Sequence, residues 1–394
     1  MKKYILIASA ALLALASCTK VMEMVANSDE IGFQVANYVQ TKADGDATPT
    51  IAFTHDDFGA YAWHNGDQGA QTVRFSNEKV AKRDGVWTTV NATYYWMKTG
   101  TDDFVCYAPY NEGTPEVTPT SIKWGAVAPY EVKMDSKDLM YADKALNQTG
   151  KVGQDGKTAA PVPVLFHHAL AKLSFQVKAN FLEYTNPEEK DDKGNVVVAS
   201  GKTTWEVTLR SAKLSGIRNK GSLELKTPDA SGKWTLPEGK VWTPDSGNSL
   251  LEAVDLLSGE EGLKLTTEPQ ALYVDKDGKA QSFFVLPQNL GTSTEALAAQ
   301  QLTVDFHIKT TLPTLDEKGQ PRVFEEDYKA TLDLSGISSL QAWQMNQNII
   351  YTIRIKPTSA VDPENPDDPS DVTVTFDPAV SDWDDLSADA TIQL

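Results

Sequence analysis

Alternation of apolar and polar side chains is the feature that most limits how this 394-residue chain can fold. Around Phe175, apolar residues occupy every second position and polar residues the positions between. The same two-residue period recurs over residues 205–210, 302–309 and 349–355. Successive side chains of a strand point to opposite faces of a sheet, so this period predicts sheets with one buried and one solvated face. We therefore expect an all-β fold of antiparallel sandwiches.

Turn signals between the predicted strands support this fold class. Acidic stretches that contain glycine occur at residues 191–195, 275–278 and 316–319, each between strand-like runs. Such stretches are typical of hairpin turns. Helical patterns are limited to residues 249–257 and 294–301, where we expect two turns of helix each.

The first residues have the composition of an export signal. Lys2 and Lys3 precede an apolar run over residues 5–16, and small residues then lead to Cys18. The run is too short to span a bilayer permanently, and the series predicts a cleaved signal peptide. It resembles the lipobox of bacterial lipoproteins, in which the cut precedes the cysteine and its sulfur carries lipid. The alternative is an ordinary secretory signal with an incidental cysteine.

The chain is acidic, with a formal net charge of −18 at pH 7. A surface of this charge repels nucleic acids and anionic lipids, so we expect neither as a partner. The sequence contains two cysteines, Cys18 and Cys106. With lipid on Cys18, Cys106 has no partner for an intrachain disulfide, and its apolar neighbours predict a buried thiol.

No group of residues forms a recognisable catalytic or metal-binding pattern. His167 and His168 are adjacent near a predicted strand, so they point to opposite faces and cannot hold one metal together. Asp275 and Asp277 resemble the start of a calcium loop, but Leu286 stands at the twelfth position, where a glutamate is needed. We therefore expect no enzyme, no metal site and no cofactor.

Polar segments with glycine or proline divide the chain. A strand pattern over residues 31–39 is followed by an exposed loop around Lys42, where a protease has access. The polar stretch 184–194 marks a domain boundary, and an acidic proline-rich linker follows much later. The expected division is a signal peptide at 1–17, a spacer with a removable first strand at 18–42, an N-terminal domain at 43–185, and a C-terminal domain at 186–394 with a linker at 362–370 and a final segment at 371–394.

The final segment alternates as well, with Pro378 as an interruption. Its apolar positions are Val372, Val374, Phe376, Ala390, Ile392 and Leu394. One interpretation is an edge strand of the C-terminal domain. The other is a strand donated to a neighbouring subunit, because extended segments add readily to open sheet edges.

Several stretches together resemble the fimbrillin family of Bacteroidales, which includes Mfa-like and FimA-like proteins. They are Cys18 in its lipobox, the early strand closed by residues 41–43, and the segments 104–110, 138–142, 166–175, 284–288 and 343–353. The resemblance implies two tandem transthyretin-like β-sandwich domains. It also implies a subunit of surface pili with a role in adhesion.

In stalk-type members of that family, the resemblance implies a trypsin-like cut after a basic residue that follows the first strand. Here that residue is Lys42, where the best-known pilins carry arginine. Loss of the strand opens an apolar groove for a strand of another subunit, and residues 371–394 are the candidate donor. The implied partners are other pilus subunits, a maturation protease and the outer membrane. Without the cut, the protein stays lipid-anchored at the cell surface.

Two other functions stay open on sequence grounds. The nine tryptophans could serve a lipid-anchored glycan-binding protein that does not polymerise, although the positions of Trp63 and Trp205 in strands favour the core. The abundant carboxylates could serve a surface hydrolase, although no pair of them stands out.

The N-terminal pattern predicts one of two mature termini. Mass spectrometry of protein from the native cell envelope should find either acylated Cys18 or, after a cut behind Lys42, free Ala43. An unmodified Cys18, or a terminus inside the predicted apolar run, would contradict the lipoprotein interpretation.

Overall fold

The computed structural model describes residues 30–37, 53–66, 69, 71–150, 159, 161–181, 185–198, 200–247, 249–257, 261–291, 299–316, 318–337, 339–358 and 371–382. Helical structure in these ranges consists of two three-residue 3-10 segments, Glu238–Lys240 and Leu334–Gly336. All other regular structure there is strand, so the all-β prediction is confirmed.

The strands range from two to 15 residues in length. From the N-terminus they are β1 Gly32–Asn37, β2 Asp57–Asn65, β3 Gln71–Arg83, β4 Val86–Thr89, β5 Thr101–Ala108, β6 Glu116–Thr118, β7 Ser121–Trp124, β8 Tyr130–Glu131, β9 Met140–Ala142, β10 Ala145–Gln148, β11 Val162–His168, β12 Ala171–Ala179, β13 Thr185–Asn186, β14 Glu189–Lys190 and β15 Val196–Val198. They continue with β16 Gly201–Lys202, β17 Thr204–Ser215, β18 Lys220–Lys226, β19 Thr243–Pro244, β20 Val254–Asp255, β21 Leu263–Lys264, β22 Gln270–Ala271, β23 Phe283–Val285, β24 Gln288–Asn289, β25 Gln301–Leu315, β26 Pro321–Asp333, β27 Ala342–Trp343, β28 Gln347–Thr358 and β29 Asp371–Asp382.

The chain forms two compact units. The first contains the described residues within Met1–Asn111 and Ala142–His167, and the second those within Glu112–Tyr141 and His168–Trp383. The sequence division near residue 185 differs from this one, because β7 pairs with β18 and β12 pairs with β28. Pairing with strands far along the chain thus assigns early segments to the second unit.

An eight-stranded sheet has the strand order β10-β5-β2-β3-β4-β1-β11-β9, and β9 also pairs with β5. Seven strands therefore form a closed ring, in which β1 lies between β4 and β11. The interior is strongly aromatic, because strand positions that face inward carry large rings. The rings in mutual contact include Phe33, Phe53, Phe58, Trp87, Phe104 and Phe166.

In the second unit, two sheets enclose one apolar core. The first sheet has the order β22-β12-β28-β29, with β23 also paired to β12; the second has the order β14-β15-β25-β17-β20, with β21 and β26 paired alongside. Along β12, buried and partly buried residues alternate without exception, as the two-residue period predicts. Deep in this core the indole N–H of Trp343 donates a hydrogen bond of 2.8 Å to the hydroxyl of Tyr351.

Four hairpin turns share one hydrogen-bond pattern, and they begin at Asp191, Asp229, Asp275 and Asp316. In each, a carboxylate oxygen of the aspartate accepts from the backbone N–H groups two and four residues later. The glycine three residues later donates its N–H to the aspartate carbonyl and adopts a positive φ, which is 75° at Gly278. Backbone amides thus occupy the Asp275 carboxylate, as a hairpin requires. The turn at Asp229, which was not predicted from the sequence, has the same spacing.

The helix predicted over residues 249–257 is wrong. This segment is extended and contains β20. The N–H of Leu251 donates to the carbonyl of Ile217, and the N–H of Leu256 donates to that of Ala212. Hydrogen bonds to neighbouring segments of the same chain thus replace the hydrogen bonds that a helix would make within itself. The other predicted helix, over residues 294–301, lies mainly outside the described residues, and Gln301 begins β25.

The position of β1 predicts a large effect of truncating its main inward side chain. Phe33 is 2% exposed, so Phe33→Ala should lower the free energy of unfolding of the first unit by about 3–5 kcal/mol. Gln34 is exposed on the other face of the same strand, and Gln34→Ala should change the free energy of unfolding by less than about 0.5 kcal/mol. Urea denaturation of the two full-length variants measures the difference. Equal effects would show that β1 does not occupy this position.

Candidate functional site

β1 is an interior strand that is held on both sides. It runs parallel to β11, with Phe33 opposite Val162, and antiparallel to β4, with Phe33 opposite Trp87. Just before the strand, the N–H of Ile31 donates a hydrogen bond of 2.8 Å to the carbonyl of Tyr94. The backbone of β1 therefore satisfies hydrogen-bonding groups of two neighbours at once.

The side chains of β1 also complete the aromatic core of the first unit. Ile31 is fully buried, and the Phe33 ring meets the rings of Phe58 and Phe104 edge-on, at centroid distances of 5.6 and 5.8 Å. Burying one side chain of this kind contributes about 1.5–3 kcal/mol relative to exposure. The loss of β1 would therefore expose both an apolar strip and two unpaired strand edges. We call this place, between β4 and β11, the first-strand slot.

β29 lies at the edge of its sheet. It pairs antiparallel with β28 along its whole length, from Asp371 opposite Thr358 to Asp382 opposite Gln347. Within the described residues it has no neighbour on its other side. An edge strand offers unpaired N–H and C=O groups, to which a further strand can add.

Pro378 lies inside β29, opposite Tyr351. The proline interrupts the apolar alternation but does not end the strand. Proline lacks an N–H donor and is tolerated on edge strands, where one side of the ladder is open. The same residue makes β29 unsuited to the interior of a regular ladder at that one position.

The predicted donor residues divide into two groups. Val372 and Val374 pack against the core of the second unit, and Phe376 lies in β29 opposite Ile353. In this structure β29 is thus an edge strand of its own unit. The other sequence-predicted positions lie outside the described residues and stay predictions; they are Cys18, Lys42, Ala390, Ile392 and Leu394.

The interior titratable groups are held in structural contacts. His168 Nδ1 lies 2.6 Å from Asp138 Oδ2, and His167 Nε2 lies 3.1 Å from Asp143 Oδ1. The adjacent histidines thus reach different carboxylates, as their alternation predicts. These carboxylate partners were not predicted from the sequence. Residues 138–142 were noted there only as one of the stretches that resemble the fimbrillin family. Cys106 is 2% exposed and its burial raises the pKa of its thiol, so it is a core residue and not a nucleophile.

The tryptophans lie mainly in the interior. Those that are at most 7% exposed are Trp63, Trp87, Trp124, Trp234, Trp242 and Trp343. Trp205 packs against the core of the second unit and stacks on Phe181, with ring centroids 6.4 Å apart. The other two described tryptophans, Trp96 and Trp205, are partly exposed.

The described residues offer neither a metal site nor a membrane-spanning helix. In these ranges, no group of three or more His, Cys, Asp and Glu side chains is arranged to hold a metal ion. The same ranges contain no helix that is long and apolar enough to cross a bilayer.

The chain belongs to the fimbrillin-like family, whose model matches residues 41–383. The family is one of fimbrial structural proteins. Membership supports a role as a subunit of fimbriae at the cell surface. None of the curated proteins matched the chain.

Solved structures with similarity to this chain come from Bacteroides and Porphyromonas species. A protein from Bacteroides uniformis described as a candidate cell adhesion protein is 19% identical, with a TM-score of 0.40, and the match covers 90% of this chain and 98% of that one. A fimbrial protein from Bacteroides ovatus is 13% identical (TM-score 0.33; 84% and 49% covered). The fimbrial anchor protein Mfa2 from Porphyromonas gingivalis is 12% identical (TM-score 0.26; 90% and 98% covered). At such TM-scores these similarities add nothing to the family match.

The packing of β29 predicts a face-dependent effect of a buried charge. Val374 packs against the core, so Val374→Asp should lower the free energy of unfolding of the second unit by roughly 1–3 kcal/mol. Thr375 is exposed on the other face of β29, and Thr375→Asp should change the free energy of unfolding by less than about 0.5 kcal/mol. Thermal or urea denaturation distinguishes the two. If both substitutions were neutral, β29 would not be part of this unit in solution.

Proposed function

We propose that this protein is a structural subunit of a cell-surface pilus that is exported as a lipoprotein and assembled by strand exchange. The observation that carries the proposal is the interior position of β1, upstream of Lys42 in the chain. A single backbone cut after Lys42 would convert a covalently attached interior strand into a detachable peptide. That peptide would take Cys18, with its lipid, away from the subunit.

The cut itself needs only an exposed basic residue. The segment after β1 contains Lys42 followed by Ala43-Asp44-Gly45, which favours a loop accessible to a trypsin-like protease. Lys20 lies before β1, so a cut there would remove the lipid and leave the strand in place. Only the later site couples release from the membrane to opening of the first-strand slot.

The open slot would bind an extended apolar segment. Burial of apolar surface contributes about 25 cal/mol per Å², and the rings of Phe58 and Phe104 would supply much of that surface. Ladder hydrogen bonds to the edges of β4 and β11 would set the register of the incoming strand. The slot therefore selects an alternating segment without a charge on its inward face.

The donor in this proposal is the segment 371–394. β29 has one strand neighbour whereas β1 has two, so the departure of β29 leaves one strand edge open and not two. Its apolar residues Val372, Val374 and Phe376 alternate, and Ala390, Ile392 and Leu394 continue the pattern. Residues 362–370 are acidic and proline-rich, and such a linker acts as a semi-rigid spacer that can present a strand at a distance.

Without the cut, the same molecule would stay on the outer membrane through Cys18. It would then act as a lipid-anchored base subunit with an occupied first-strand slot. The burial of most described tryptophans gives no support to the alternative of a glycan-binding surface protein.

Removal of the donor segment should separate folding from assembly. A chain truncated after Pro369 should keep the near-ultraviolet circular dichroism signal of a folded protein but form no polymers after protease treatment. Size-exclusion chromatography and electron microscopy measure the polymers, and a synthetic peptide of residues 371–382 should bind the truncated protein. If the truncated chain is unfolded, β29 is an obligatory core strand and is not donated.

Substitution of the two lysines provides a matched control for the cut. Lys42→Gln should leave the protein lipid-anchored and unassembled, whereas Lys20→Gln should assemble normally. Normal assembly of Lys42→Gln would contradict cleavage at this residue while leaving the family assignment intact.

A further inference from the structure

The parallel pairing of β12 and β28 places Lys172 opposite Asn348. Further along the same two strands, Gln176 lies opposite Thr352, and Gln176 Nε2 donates a hydrogen bond of 2.8 Å to Thr352 Oγ1. Side chains an even number of residues apart share one face of a strand. Lys172 and Asn348 therefore lie side by side on the face on which Gln176 and Thr352 are in contact.

The side-chain oxygen of Asn348 lacks a hydrogen-bond donor among the described residues. Its Oδ1 atom is shielded from solvent and accepts no hydrogen bond from the described residues. A buried carbonyl oxygen without a donor is unfavourable. Within the described residues, no hydrogen bond to this oxygen therefore holds the amide group away from the neighbouring Lys172.

Lys172 has the environment of a nucleophilic amine. The side chain is partly buried, and this burial lowers the pKa of its amine, which Asp138 opposes through its negative charge. A lower pKa increases the share of the neutral amine, which is the form that attacks a carbonyl carbon.

Asp138 is placed to carry a proton. His168 Nδ1 holds one carboxylate oxygen at 2.6 Å, and this contact fixes the side chain. The second oxygen is buried and accepts no hydrogen bond in the described part of the chain. It is thus available to a neighbouring group, and the negative charge of Asp138 acts to raise the pKa of the Lys172 amine.

We propose that Lys172 and Asn348 form an intramolecular amide bond, with Asp138 as the proton carrier. The neutral amine of Lys172 attacks Cγ of Asn348, so that the Nζ–Cγ bond forms and the Cγ–Nδ2 bond breaks. Asp138 takes one proton from Nζ and delivers it to Nδ2, which leaves as ammonia. The reaction needs no oxidant and no second substrate, because the fixed geometry replaces a high concentration of amine.

The bond would lock the sheet of the second unit at a useful place. It would join β12 to β28, two strands that are neighbours in space but far apart in the chain. β28 is the strand that holds β29. With the cross-link in place, β29 can separate without loss of the β12–β28 ladder, and a force along the chain cannot peel these two strands apart.

Peptide mapping of the full-length protein from cells tests the proposal. Trypsin does not cleave after a lysine whose amine is in an amide, so residues 158–178 should remain joined to residues 330–354. The branched peptide should be lighter than the two linear peptides together by one molecule of ammonia. Recovery of the linear peptide that ends at free Lys172, in full yield, would overturn the proposal.

Substitutions at the reacting residues test which side chains form the bond. Lys172→Arg and Asn348→Ala should each abolish the branched peptide, and persistence in either variant would overturn the assignment. Lys178→Arg is the matched control, because Lys178 lies on the same face of β12 opposite Arg354, and here the branched peptide should persist.

Asp138→Asn should slow formation of the bond about a hundredfold. An undiminished rate would contradict the role of Asp138. Circular dichroism of Lys172→Arg, which keeps the charge, shows whether the fold is retained.

Discussion

The hydrogen bonds of an interior strand are the constraint on which the first unit depends. β1 supplies backbone partners to β4 on one side and to β11 on the other, and its Phe33 side chain joins the aromatic core. A buried N–H or C=O without a partner costs about 1–3 kcal/mol, so a ring of strands with one strand missing is not a stable end state. Either β1 stays, or another extended segment takes its place. This requirement would make a backbone cut sufficient to create a binding site.

The two ends of the described chain differ in how firmly they are held. β1 has two neighbours and β29 has one, although both contribute apolar side chains to a core. The departure of an edge strand opens only one side of a sheet. The proposed exchange would thus move a strand from a position with one neighbour to a position with two.

The second unit needs a fixed frame if its edge strand is to move. β12 and β28 form that frame, since they pair along β12 and place Leu173, Tyr351 and Ile353 in the core. Tyr351 is further tied to Trp343 by a hydrogen bond and to Phe175 by ring stacking at 5.1 Å. The proposed bond between Lys172 and Asn348 lies on the opposite face of β12 and β28. It would add a covalent connection to two strands whose inward side chains are already buried. Stability in the frame and mobility at the edge are then properties of adjacent strands.

The local features of this protein were predictable from the sequence. Alternation predicts the strands around Phe175 and Phe306, and the spacing of aspartate and glycine predicts the turns at Asp191, Asp275 and Asp316. These features depend on residues within a few positions of one another, where side-chain direction and backbone φ act directly. The helix expected over residues 249–257 failed for the converse reason, because distant carbonyl groups compete for its amides.

By itself, the amino-acid sequence predicted the fold class, the turns and the burial of Cys106. It also predicted an export signal, which lies outside the described residues. Only the tertiary structure decided that β1 is an interior strand, that Asp138 is the partner of His168, and that Lys172 faces Asn348. Strand order and register join residues that are far apart in the chain. They are selected by the packing of whole sheets around a shared core, which no short window of sequence contains.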